Sequence, residues 1–222
     1  MKLSRLLLNP LHQDIRRAIG DSHAMHALVM SLFPDVSGDT PRAELGVLYR
    51  LERQRDGERM ALLVQSNQPP DFARLKPGML DARSGAEPAA SKDLRPVLDA
   101  ISPKARFRFL LRGNATRRID TKTRDDGVRR HGKRVPVRGE EAREGWVRSR
   151  LAAHGLDVIT CTQRPDGRSA GRRRGALLTH EAHLFEGVVE VANAELARRA
   201  VAGGVGPGKA FGFGLLSLAP MR

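Results

Sequence analysis

Short apolar runs alternate with stretches of helical periodicity along this 222-residue chain. Leu3 to Leu8 is the first such run; Asn9-Pro10 ends it, which predicts a buried strand. From about Gln13 to Phe33 the apolar positions recur at helical spacing, interrupted near Gly20-Asp21, and Ser22 is the expected cap of a second helix starting at His23. Leu45 to Leu51 and Met60 to Gln65 read as two strands separated by the turn-rich Arg55-Asp56-Gly57. Asp71 to Leu75 is then expected to start a second helix and Gly78 to Ala82 to form a last strand. The resulting order is that of a ferredoxin-like half.

The second half repeats this order. Ala82 to Pro103 is rich in Pro, Ala, Ser and Gly and reads as a linker. Ala105 to Leu111 starts a new strand, a basic insert spans Arg117 to Arg134, and Val135-Pro136-Val137 returns to strand. Glu140 to His154 is an amphipathic helix with Ala142, Trp146, Val147 and Leu151 toward the core. Thr160 to Arg174 reads as a mobile basic excursion and Leu184 to Val191 as an alternating strand. Asn193 caps a helix that Gly203-Gly204 ends, and an apolar strand from Leu215 to Pro220 closes the chain. The predicted class is α+β, with tandem ferredoxin-like (RRM-like) domains at 1–82 and 105–222, a linker at 83–104 and a C-terminal glycine-rich loop.

Charge changes this picture from a fold to a partner. The formal net charge is +14 and the sequence pI near 11.2, which points to a polyanion. Most of the positive residues are Arg, whose guanidinium group can hydrogen-bond phosphates and guanine edges bidentately. With 40% hydrophobic residues the chain is expected to be globular, whereas 4% aromatics argue against base stacking as the main recognition mode. The single cysteine, Cys161, excludes a disulfide framework and fits a reducing cytoplasm. No apolar run is long enough to cross a bilayer, and Met1-Lys2-Leu3 opens without a signal-peptide pattern, so no membrane partner is expected. His180-Glu181-Ala182-His183 lacks the spacing of a zinc protease motif, and no metal or cofactor is expected.

The candidate chemistry lies first in Gly204-Val205-Gly206-Pro207-Gly208-Lys209-Ala210-Phe211-Gly212-Phe213-Gly214. A loop this dense in glycine lets backbone amides approach a phosphate. It is no Walker loop, because Ala210 stands where Ser or Thr would hold magnesium, and no dinucleotide fingerprint fits its spacing. Gly-hydrophobic-Gly, repeated after five residues, resembles the C-terminal loop of the RAMP superfamily of RNA-binding CRISPR proteins. Further segments occur in the order found in one of its families: Leu6-Leu7-Leu8-Asn9-Pro10, Met25-His26, Leu48-Tyr49-Arg50-Leu51-Glu52, Leu62-Leu63-Val64-Gln65-Ser66, Phe109-Leu110-Leu111-Arg112-Gly113-Asn114, Gly132-Lys133-Arg134-Val135 and Leu184-Phe185-Glu186-Gly187. Over nearly its whole length the chain resembles the CasE family, the CRISPR RNA endoribonucleases of type I-E Cascade. Gly113 and Ala115 depart from the usual Leu-Arg-Ala-Asn-Pro.

That resemblance implies metal-independent cleavage of CRISPR repeat RNA at the base of its hairpin, leaving a 2′,3′-cyclic phosphate and a 5′-hydroxyl. It further implies a protein that is monomeric when free, retains the cut hairpin and joins the other Cascade subunits. His26 aligns with the family's catalytic histidine; without the motif, a lone helical histidine is ordinarily a surface or core residue. His23, three residues earlier, stands where some relatives carry Tyr and is a candidate assistant in acid-base catalysis. Ser22 reads as structural. Lys209, with Gly206 and Gly208, is the candidate phosphate holder of the loop. In the basic insert, Arg117, Arg118, Arg129, Arg130, Lys133 and Arg134 are candidate RNA contacts, joined by Arg172 and Arg173 further on. Two other classes remain open: a non-catalytic RNA-binding subunit of the same superfamily, which would not require His26, and a basic structural or ribosome-associated protein, which would not explain the ordered motifs.

Overall fold

The computed structural model describes residues 1–38, 40–53, 60–83, 85, 87–119, 133–173 and 176–221. Strand β1 (Lys2–Leu8) buries Leu6 and Leu8. It is followed by helices α1 (Gln13–Gly20), α2 (Ser22–Met30) and the short α3 (Pro41–Glu44), then by β2 (Leu48–Arg53) and β3 (Met60–Ser66). Ile15, Ala18, Met25 and Val29 form the apolar faces of α1 and α2 and pack with Leu6, Leu8, Tyr49, Leu62 and Val64 into one core. The break between α1 and α2 falls where expected, but the cap is Asp21 and not Ser22. The Asp21 Oδ1 accepts from the amides of His23 at 2.7 Å and Ala24 at 3.3 Å, so Ser22 becomes the first helical residue.

Two expectations for the rest of this half are corrected. Asp71 to Leu75 does not open a helix: only a 3-10 turn forms at Phe72–Arg74, because Pro70 and Pro77 leave too few residues to propagate one. Gly78 to Ala82 contributes a single bridge, Leu8 to Leu80. The fourth strand of the sheet is β4 (Ala89–Asp93), which pairs antiparallel with β1 and lies inside the segment 83–104 expected as a linker. Helix α4 (Arg95–Ala100) follows in the same segment. The sheet order β2-β3-β1-β4 is the ferredoxin-like order even though a turn and loop replace its second helix.

The second half contains β5 (Arg106–Gly113), a hairpin of β6 (Thr116–Ile119) and β7 (Lys133–Pro136), helix α5 (Glu140–Ala152), β8 (Leu156–Arg173), β9 (Ala176–Val191), helix α6 (Ala194–Gly203) and β10 (Leu216–Pro220). Its main sheet runs β10-β5-β9-β8, the same order again, over a core that includes Phe107, Phe109, Val147, Leu151, Phe185 and Val201. Trp146, Val147 and Leu151 of α5 are buried as expected, while Ala142 is only partly covered. The expected excursion at 160–174 is instead strand as far as Arg173, and Arg174 lies outside the described residues. From Leu156 to Arg173, β8 pairs with β9, with irregularities between Val158 and Thr160 and between Pro165 and Arg168. Backbone pairing between the strands satisfies the peptide groups whatever the side chains, so polar composition did not prevent it.

The halves are joined by buried polar contacts. Arg50 of β2, 1% exposed, donates to the carbonyls of Leu215 at 3.1 Å and Leu110 at 3.3 Å and to the Ser217 hydroxyl at 2.9 Å; Glu52 neutralises it from 2.6 Å. Gln65 donates to the Val201 carbonyl at 2.7 Å.

Candidate active site

Helix α2 begins at the seam between the halves, where the Ser22 hydroxyl donates to the Ala170 carbonyl of β8 at 3.0 Å. One turn of this helix presents both His23 and His26, half-buried, toward the glycine-rich loop. That loop leaves α6 at Gly204, whose φ of +75° ends the helix. It closes on itself through Val205 N–H to the Gly214 carbonyl at 2.8 Å, and Gly214 N–H ties it to the Arg112 carbonyl of β5 at 3.0 Å. Gly208 sits at φ +86°, and a Cβ there would lie 2.9 Å from the Phe213 ring, so glycine is required on both counts. The next three residues, Lys209–Phe211, form a 3-10 turn that packs on α2.

Between helix and loop lies an open cleft of about 690 Å³, walled by His23, His26 and Arg42 on one side and by residues 206–211 on the other. The His23 ring stands edge-on to Phe211 with centroids 5.2 Å apart, and His180 of β9 stacks on Phe211 at 5.1 Å. His26 lies near-parallel to the Tyr49 ring at 6.5 Å. The Tyr49 hydroxyl donates to the Ala210 carbonyl at 2.7 Å, and burial pushes its pKa up, so it holds the loop as a neutral phenol. From behind, the Arg112 guanidinium lies 4.6 Å from the Phe213 centroid, with its Nε 2.6 Å from an Asp166 carboxylate oxygen.

Electrostatics sets the protonation of the cleft. Burial holds His26 below the ordinary histidine range, and the charges of Arg42 and His23 add to the effect, so the imidazole is neutral at pH 7. Its Nδ1 is buried without a hydrogen-bond partner, as is His23 Nε2. Burial likewise lowers Lys209, with Arg42 contributing. A neutral imidazole beside cationic side chains and open backbone amides can accept a proton next to a bound phosphate. Among the described residues no group of His, Cys, Asp or Glu could hold a metal ion, and no helix is long and apolar enough to cross a membrane.

The fold thus brings His23, His26, Gly206, Gly208 and Lys209 into one cleft. Arg117 and Arg118 on β6 and Arg134 on β7 lie exposed on the separate hairpin, with Lys133 at its edge; Arg118 pairs across to Arg134. Arg129 and Arg130 lie outside the described residues. Arg172 and Arg173 fall on the last stretch of β8, paired to Leu177 and Ala176 of β9. Sequence reasoning did not single out Arg42 or Tyr49 as parts of the cleft. For Tyr49 the signal was present in the Leu48-Tyr49-Arg50 segment; for Arg42, in a stretch of mixed polarity, there was none.

Comparison with known proteins places this geometry in a family. A family model described as CRISPR associated protein matches residues 1–220. The chain is 32% identical over 232 residues to the CRISPR-associated endoribonuclease Cse3 of Thermus thermophilus, covering 99% of this chain and 100% of that protein. It is 30% identical over 207 residues to the CRISPR system Cascade subunit CasE of Escherichia coli, covering 90% and 93%. A solved structure of CRISPR endoribonuclease Cse3 bound to a 19-nucleotide RNA superimposes with a TM-score of 0.80 at 32% identity, covering 99% of this chain and all of the other. Sequence order, sheet order and full-length similarity therefore agree: the chain belongs to the CRISPR-associated protein family that includes Cse3 and CasE.

Proposed function

We propose that this protein is the endoribonuclease that cuts CRISPR repeat RNA at the base of its hairpin, and that it does so without a metal ion. The observation that carries this reading is the cleft itself, where a neutral imidazole and a second imidazole on one helical turn face a glycine-rich loop bearing Lys209. In the proposed reaction His26 accepts the proton of a ribose 2′-hydroxyl. The 2′-oxygen then bonds to the adjacent phosphorus, and the bond from phosphorus to the 5′-oxygen breaks. His23 is the proposed donor of the proton that the leaving 5′-oxygen takes up. Lys209 and the amides near Gly206 and Gly208 stabilise the charge that grows on the phosphate oxygens. The products are a 2′,3′-cyclic phosphate and a 5′-hydroxyl.

The exposed arginines of the β6–β7 hairpin, Arg117, Arg118 and Arg134, are suited to phosphates along an A-form stem, whose deep major groove excludes base reading by side chains. Arg129, Arg130, Lys133, Arg172 and Arg173 are further RNA contacts in the proposal. The E. coli relative is a Cascade subunit, and retention of the cut hairpin in such a complex follows physically, because cleavage alters one phosphodiester and leaves the other phosphate contacts in place. The test is incubation of the purified chain with a repeat hairpin in excess EDTA, followed by end-group analysis. One cut with a cyclic phosphate terminus supports the proposal. A hairpin bound tightly but left intact would instead identify a non-catalytic RNA-binding subunit.

A further inference from the structure

We propose that Arg42 is a phosphate ligand of the cleft, holding the scissile phosphate from the side opposite the glycine loop; this rests on the reading of the cleft as a ribonuclease site. Arg42 lies in the short helix α3, half-buried, and lines both the cleft of His26 and Lys209 and a neighbouring cavity of about 490 Å³. Its Nη1 donates to the Val47 carbonyl at 2.8 Å, which anchors one nitrogen of the guanidinium. An arginine has five N–H donors. Among the described residues no other acceptor meets those of Arg42, and no carboxylate lies within ion-pair distance. Asp35 borders the same neighbouring cavity without pairing with it.

Partly buried arginines ordinarily take a carboxylate partner, as Arg50 takes Glu52 and Arg112 takes Asp166 in this same chain. Arg42 instead shares its cleft with Lys209 and two imidazoles, and its charge weakens the hold of both His26 and Lys209 on a proton. Positive groups gathered in a cleft without a protein anion focus a field that favours an anion from outside. A phosphodiester supplies one, and its pentavalent transition state carries more charge than its ground state, which a forked guanidinium matches with two parallel hydrogen bonds. Arg42 therefore acts chiefly on the rate of cutting, since the long basic surface dominates affinity for the hairpin.

The experiment compares wild type, Arg42→Gln and Arg42→Lys by single-turnover cleavage of the repeat hairpin in EDTA, hairpin affinity, melting temperature and pH–rate profile. Arg42→Gln is expected to cut about 10²- to 10³-fold more slowly, with affinity changed by no more than a few fold. Its melting temperature should stay close to wild type. The groups facing His26 are Arg42 on its own side of the cleft, Lys209 across it, His23 on its own helix and the Tyr49 ring. Loss of the Arg42 charge should therefore move the acid limb of the profile to higher pH. Arg42→Lys should recover at least about tenfold of the rate, because it restores the charge without the fork. Wild-type rates in Arg42→Gln would overturn the assignment, as would a slow variant that melts earlier and is not rescued by Lys. If wild type itself leaves the hairpin uncut, the ribonuclease reading falls; if wild type cuts and Arg42→Gln cuts equally well, only the role of Arg42 falls.

Discussion

In the proposed reaction, the reactivity of His26 comes from its placement more than from its identity. Burial, then Arg42 and His23, hold its pKa below the ordinary 6.5, so the form able to accept a proton dominates at neutral pH. The acid limb of the single-turnover rate is therefore expected to be centred below 6.5; a limb centred above that value would show that another group limits the reaction. Stability should follow the same sign. His26, His154, His180 and His183 all have lowered values in the fold, each chiefly from burial. The unfolded chain thus binds more protons than the folded one as pH falls below 6.5, and the stability present above that pH is lost on acidification. Melting temperature should accordingly drop between about pH 7 and pH 5, and an unchanged value would contradict the burial of neutral imidazoles. At this scale the sequence was legible only where a motif spoke. His26 and Lys209 stood in recognisable segments, whereas Arg42 is brought to the cleft by the path of the chain after α2, which no local periodicity encodes.

Elements were legible where apolar spacing wrote them and obscure where hydrogen bonding alone did. The strands β1, β3 and β10 and the helices α2, α5 and α6 bury apolar faces and were found close to their observed limits. The polar ladder from Thr160 to Arg173 and the strand β4 were missed, because pairing of backbone groups leaves little mark on composition. The glycine loop is the element on which the site depends. Gly208→Ala would strain a left-handed residue and press on Phe213, costing about 1–2 kcal/mol and displacing Lys209 from the cleft. The expected outcome is a lower melting temperature together with slowed cleavage; an active, unshifted variant would mean that the loop does not position the reaction. On the hairpin, Arg117, Arg118 and Arg134 replaced together by Ala should reduce the slope of log affinity against log salt by about one unit for each RNA phosphate that is no longer neutralised. An unaltered slope would make the hairpin a solvated ribbon.

At the scale of the whole molecule, the candidate cleft exists only because the halves are held in one orientation, with the helix supplied by the first and the loop by the second. Arg50 is central to that joint. A charged residue in a strand reads as solvent-facing, so only the fold shows that it is buried against carbonyls of the other half. Arg50→Ala would strand the Leu215 carbonyl and leave Glu52 unpaired, and is expected to lower stability by about 3 kcal/mol. Denaturant unfolding checks this, and a change under about 1 kcal/mol would relocate the joint. The repeated sheet order was legible from sequence because each half carries its own apolar pattern, but the way one half meets the other was not. The central claim is that this joint builds a metal-free RNA-cutting site around His26. Its most direct test is single-turnover cleavage of the repeat hairpin in EDTA by His26→Ala, with hairpin affinity measured alongside. The account requires a rate about two to four orders of magnitude below wild type, with affinity within a few fold; near-normal cleavage by His26→Ala would contradict it.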